Sequence, residues 1–202
     1  MTTAPSSPVS NLAAADELSR ILSTALPIGS QLYGEEARIT TRFRHGAVHG
    51  RVLPMNEHVI MTYYGASQLY SWQDGRRCSS GVKRPGVITL IPRGHEARWE
   101  VAGNVEVSHV YLSDVQLQSC AATLGSDAKT LQLEDRVSFD DPIAAHLLQV
   151  LAVEAANPRE HSKVFADQTI DLLCLHLMRS HASTGVRPLT DTLPGLQAWQ
   201  IR

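Results

Sequence analysis

Lysine and aromatic side chains are scarce in this chain of 202 residues: three lysines stand against fifteen arginines, and the aromatics make up 5%. The formal net charge is −2, and the small clusters Arg42/Arg44, Arg76/Arg77 and Lys83/Arg84 are scattered. A self-sufficient DNA-binding domain carries a basic face, which this chain lacks. The cysteines Cys78, Cys120 and Cys174 are odd in number, widely spaced and never in a CxxC pair. That pattern argues against a zinc site or a disulfide framework and fits reduced thiols in a cytoplasmic protein. The start, MTTAPSSPVS, has neither the basic nor the apolar region of a secretion signal. No apolar run nears the ~20 residues of a membrane span, so no membrane partner is expected.

What is present supports a packed core, with 43% hydrophobic residues. Residues 1–10 are rich in Pro, Ser and Thr and read as disordered. Leu12, Ala15, Leu18, Leu22 and Ala25 share one face of a helix over 11–25, with Asn11 as its cap. Short extended runs follow at Arg38–Phe43, His58–Tyr64, Leu69–Trp72, Val87–Ile91, Ala97–Val101 and Val105–Leu112. Many short strands broken by turns predict a sandwich or barrel. After Ser126 the pattern turns helical. Asp141-Pro142 is an N-cap followed by proline at the first helical position. A second helix spans Lys163–His181, with an apolar surface too wide for one neighbour. Ser183–Leu196 has the composition of a linker.

The segment GVITLIPRGHEARW, residues 86–99, reads as strand, tight turn and strand. Gly86, five residues, then Pro92-x-Gly94 resembles the second sequence motif of cupin barrels. A metal-binding cupin has a histidine three residues after that last glycine; here the position is Ala97. The first cupin motif would supply HxH and a glutamate between His58 and Trp72, and only His58 is there. No metal and no cofactor are therefore expected.

The order of strands, two helices and a Gly/Pro linker resembles the N-terminal effector-binding and dimerisation half of AraC-type transcription regulators. The stretches that carry the resemblance are Arg84-Pro85-Gly86 with ITLIPRG, then ARW, Val110-Tyr111-Leu112-Ser113, DPIAAHLLQVLAVE, FADQTIDLLCLHLMRSHAS and LPGLQAWQIR. It implies an α+β fold: a cupin-like jelly-roll β-barrel followed by an antiparallel helix pair. The expected parts are a disordered 1–10, a helix and barrel over 11–126, a helical dimerisation element over 127–182 and a linker over 183–202. The linker would lead to a helix-turn-helix domain missing from this chain, through which alone the protein would contact DNA. The implied function is sensing of a small-molecule effector by a homodimer, without catalysis. The alternative is a cupin-type enzyme acting on a small polar substrate, with His58, His95 and His109 as its metal ligands.

The candidate ligand-binding residues are Tyr64, Trp72, Trp99, Val107 and His109. Trp99 follows the turn where sugar-sensing members of the family place a pocket aromatic; it is equally placed to be a core tryptophan. The resemblance also implies that the strand before Val110-Tyr111-Leu112 faces the pocket at Val107 and His109, which share one face of it. Which of Tyr63, Tyr64, Tyr70 and Trp72 point inward depends on register, and Tyr64 and Trp72 are chosen. Phe165, Leu172, Leu173 and His176 form one helical stripe and are the expected dimer interface. His176 there would either fix register or sit capped in the core.

Overall fold

Strand β4 (His58–Tyr63) is buried along its whole length, which only a strand covered on both faces can be. Its surroundings define the architecture in a computed structural model that describes residues 12–184, except 30, 35, 76 and 124–130. Strand β4 pairs antiparallel with β9 (Val105–Leu112) on one side and β7 (Val87–Ile91) on the other. The short β1 (Arg38–Ile39) and β2 (Phe43–His45) both pair with the outer edge of β9, and β11 (Arg136–Asp140) pairs with β7. These six strands form sheet I. Sheet II runs β3 (Val48–Val52), β8 (Ala97–Val101), β5 (Gln68–Asp74) and β6 (Arg77–Lys83), all antiparallel. A separate ladder joins β10 (Leu131–Leu133) to β12 (Ala182–Thr184).

Alternation along sheet I sorts two cores. Val59, Met61, Tyr63, Val87, Ile91 and Val107 meet Val48, Tyr70, Trp72, Trp99 and Val101 of sheet II. Helix α1 (Ala14–Leu22) adds Ala14, Ala15 and Leu18 to that cluster. The opposite residues Ile60, Ile88, Leu90 and Val110 pack on the helices α2 (Asp114–Thr123), α3 (Pro142–Ala156) and α4 (Ser162–His181). The result is three layers: sheet II, sheet I, helices.

The fold is thus α+β, with antiparallel sheets and, among the described residues, four helices, and several expectations shift. Among the described residues no ladder joins sheet I to sheet II, so the strands form two facing sheets rather than a hydrogen-bonded closed barrel. The expected strand over 38–43 is two short pieces, and β3, β6 and α2 are additional elements. The region read as helical from 127 opens with β10 and β11 before α3 begins. Helix α3 starts as expected: the Asp141 side chain accepts from the Ala144 N–H, and Pro142 occupies the first turn. Helix α1 follows Ala13, not Asn11, which lies outside the described residues, as do residues 1–10 and the linker from 185 onward.

The turn between β7 and β8 needs its glycine. Gly94 has φ +74°, a backbone conformation that disfavours a Cβ, and its N–H donates to the Met55 carbonyl at 2.8 Å. This anchors the Pro92–Gly94 turn to the loop before β4.

Candidate functional site

Between the two sheets lies a cavity with an empty volume of about 460 Å³, its open mouth included. Sheet I contributes His45, Met61, Tyr63, Ile91, Val105 and His109 to its wall. Sheet II contributes Val48, Val52, Lys83, Trp99 and Val101, and Leu18, Ile21 and Leu22 of α1 cover one side. The wall is mostly apolar, with a small number of polar atoms in fixed places, as in binding sites for small organic molecules.

Lys83 is the least expected member. Every earlier residue of β6 is exposed or half-buried, while the terminal Lys83 is only 4% exposed. Its Nζ donates to the Tyr63 hydroxyl at 2.5 Å and lies 4.3 Å from the Tyr63 ring centre, 4.6 Å from Trp99 and 5.3 Å from Tyr70. Loss of hydration pushes the amine down to about 7. The Tyr63 hydroxyl donates in turn to Thr89 Oγ1 at 3.1 Å, and burial raises its pKa. The Trp99 indole N–H is buried without a partner among the described residues.

His109 is buried, 3.0 Å from the Tyr111 hydroxyl through Nδ1 and edge-on to Phe43 at 5.1 Å. Burial first, then the nearby His45 and Lys83, lowers it to about 3. His45 is lowered in the same direction by burial and pairs with the Gly46 carbonyl at 2.7 Å.

Of the residues expected to bind a ligand, Trp99 and His109 line this cavity. Trp72 faces the same core directly across from Trp99 in the β5–β8 register, but it lies behind the cavity wall. Val107 is fully buried in the inter-sheet cluster and does not line the cavity. Tyr64 needs correcting. Its hydroxyl bonds Ser108 at 2.7 Å and Arg42 covers its ring at 3.8 Å. Ser108 alternates with Val107 and His109 and projects to the opposite face, so Tyr63, not Tyr64, reaches the cavity. Neither Lys83 nor Tyr63 was chosen from sequence. Strand β4 is buried on both faces, so alternation does not separate Tyr63 from Tyr64, and Lys83, beside Arg84 and before a turn, carries no signal.

The helical stripe divides as well. Phe165 and Leu172 are 52% and 54% exposed, and Val164 joins them at the surface. Leu173 is fully buried in the helix-side core cluster, and His176 is buried too, so these two cannot form the surface expected of them. Both His176 and His181 place Nε2 on the same Asp141 carboxylate oxygen, at 2.7 and 2.6 Å. This trio has the composition of a metal site. Arg136, which can only donate, lies 2.7 Å from His181 Nδ1. That Nδ1 must accept, so the ring proton sits on Nε2 and occupies the lone pair a metal would need. The trio reads as an ion-and-imidazole clamp between α3 and α4.

A second trio with metal-ligating side chains, Asp74, His95 and Asp135, lies partly exposed. Arg77 approaches it, 3.8 Å from the Asp74 carboxylate and 3.4 Å from the Asp135 carbonyl. His58, His95 and His109 do not converge: His58 bonds Asp114 at 2.8 Å, His95 faces Asp135 at 3.3 Å, and His109 is in the cavity.

No family model and no curated protein matches the chain. Among solved structures it is similar to ToxT from Vibrio cholerae, at 14% identity and TM-score 0.49, over 77% of this chain and 60% of that one. It is also similar to the AraC-like transcriptional activator CuxR, at 11% identity and TM-score 0.43, over 75% of this chain and 54% of that one. A variant of oxalate decarboxylase from Bacillus subtilis matches 46% of this chain and 29% of its own, at 14% identity and TM-score 0.31. The chain spans between half and two thirds of the length of the two regulators. At these identities the likenesses concern the fold and establish neither family nor activity. No helix among the described residues is long and apolar enough to cross a membrane.

Proposed function

We propose that this chain is the regulatory half of a cytoplasmic AraC-type transcription regulator, a cupin-like domain that binds a small effector between its sheets and dimerises through its helices. One observation carries the reading: a mostly apolar cavity between the sheets whose wall includes Lys83, Trp99 and His109. An effector that fits one arrangement of α1 and the sheets better than another shifts the population towards it. The helix pair α3–α4, taken as antiparallel, would carry that bias to a partner subunit and, through the segment after Thr184, to a DNA-binding half. DNA would be contacted only through that half. The exposed Phe165, Leu172 and Val164 support α4 as the dimer surface.

A cupin-type enzyme is the second reading. It would need several carboxylate or imidazole ligands converging on the cavity, and among the described residues the wall holds two histidines, His45 and His109, and no carboxylate.

A thermal-shift screen of small metabolites tests the leading reading, since a specific ligand raises apparent stability by mass action. Compounds that stabilise the native protein should lose that effect in Trp99→Phe and Met61→Ala. If stabilising compounds act equally on both variants, the ligand binds elsewhere and the assignment fails.

A further inference from the structure

The cavity holds a buried amine that, among the described residues, donates to the Tyr63 hydroxyl alone. A charged ammonium in such a place would ordinarily be matched by a carboxylate, and none among the described residues lines the wall. The side chain instead crosses from the edge of sheet II to the middle of sheet I and ends among the rings of Tyr63, Trp99 and Tyr70. The other titratable groups facing it are His45 and His109 from sheet I.

We propose that Lys83 is an imine-forming residue: its Nζ condenses reversibly with the carbonyl of a small apolar aldehyde or ketone held between the sheets. This rests on reading the cavity as a ligand site and names the class of ligand. The free amine attacks the carbonyl carbon, forming a C–N bond as the π pair moves to oxygen. One nitrogen proton passes to that oxygen, giving a carbinolamine. The hydroxyl group leaves as water with a proton lent by the Tyr63 hydroxyl, C=N forms as an iminium, and the nitrogen returns its remaining proton to the Tyr63 oxygen. The net change is one water released, and no oxidant or reductant is consumed.

The geometry suits this chemistry. Burial leaves a large fraction of Lys83 uncharged near neutral pH, where an exposed lysine is almost wholly protonated. The Tyr63 hydroxyl accepts from the amine and keeps its own proton on Thr89, so it orients the nitrogen and has a proton within reach of the carbinolamine oxygen. The Trp99 ring, 4.6 Å from the amine, walls the nitrogen off from water on that side. An uncharged carbonyl compound enters an apolar cavity with little desolvation, whereas a carboxylate would have to shed its hydration for one buried amine.

Reductive trapping of the full chain tests the proposal. Hexanal and cyanoborohydride at pH 7, followed by peptide mass mapping, should place a hexyl group on Lys83 ahead of the exposed Lys163, by on the order of tenfold or more. The label should vanish from Lys83→Met and fall in the presence of excess cyclohexanone. In parallel, hexan-1-ol, which fills the same space without a carbonyl, should raise the melting temperature. Labelling that follows exposure, with Lys163 modified first, overturns the imine. Stabilisation by hexanol with Lys83 unlabelled overturns the imine and leaves the cavity as a ligand site. Neither stabilisation nor label overturns both.

Discussion

The Lys83 amine stands 2.5 Å from the Tyr63 hydroxyl, tying the last residue of an edge strand to the middle of the opposite sheet. This bond spans the candidate binding cavity and gives the protein a definite pH signature. In the unfolded chain the lysine titrates near its ordinary 10.5, and in the fold near 7. Below pH 7 both states hold the proton, so the penalty of the buried charge is present in full. Between about 7 and 10 the unfolded chain binds more protons, and stability rises with pH. Lys83→Met should exceed the native protein in urea stability by on the order of a few kcal/mol at pH 6, with the gap closing towards pH 10. A gap that does not change with pH would show that the amine is not desolvated.

His109 supplies the acid limb. Its folded value of about 3 lies below the ordinary 6.5, so the unfolded chain takes up a proton first as pH falls. Stability contributed by the neutral ring is present above pH 6.5 and drains away towards pH 3. From pH 6.5 to 5 the loss should be about 1–2 kcal/mol. His109→Gln, measured by urea unfolding at both pH values, should lose correspondingly less.

Asp141 holds three groups at once: the Ala144 N–H, His176 and His181. These bonds outweigh its burial and lower its carboxyl to about 2, so its contribution is present above about pH 4 and lost as pH falls through 2. Asp141→Asn keeps the shape but turns an acceptor towards a donor at Oδ2. It should cost about 2–4 kcal/mol at pH 7 in chemical denaturation. A change under about 0.5 kcal/mol would mean that the clamp contributes nothing net.

The two sides of α4 separate association from folding. Phe165→Glu and Leu172→Glu alter exposed side chains, so they should leave the melting temperature within a few degrees while reducing a dimer to monomer in light scattering. Leu173→Glu, one residue on, puts a charge into the helical core and should unfold the domain. A native protein that is monomeric at high micromolar concentration would remove α4 as a dimer surface.

Much of sheet I could be read directly. Strands β4, β7 and β9 are apolar runs with β-branched residues, and Pro92 with Gly94 marks the turn that separates β7 from β8. The same property hid the facing of β4. A strand covered by sheet II and by helices is apolar on both sides, so alternation could not tell Tyr63 from Tyr64. Strands β3 and β6 fail for the opposite reason: VHGRV and RCSSGVK lie at the edges of sheet II, mostly in contact with water, and need few apolar residues. Helix α2 leaves little trace in the sequence, because DVQLQSCAAT buries only Gln116, Leu117, Cys120 and Ala121.

Trp99 and His109 are legible through the family resemblance, one by its place after the Pro92–Gly94 turn and the other by its place on the strand that follows. Lys83 is not. Its burial depends on where a strand ends relative to a sheet far away in sequence, and nothing in the adjacent Arg84-Pro85-Gly86 turn records that. The wide stripe on α4 was real, but only folding reveals that Leu173 and His176 are taken by the chain itself.

Helices ordinarily open from their ends, where the last turn has few partners. In α4 the final residue, His181, gives its ring to Asp141 and Arg136 and its carbonyl to the Glu134 N–H. The order of opening is thereby reversed. The last turn of α4 should exchange its amide hydrogens as slowly as the helix centre, and fraying should begin instead at the His161 end, which has no side-chain cap.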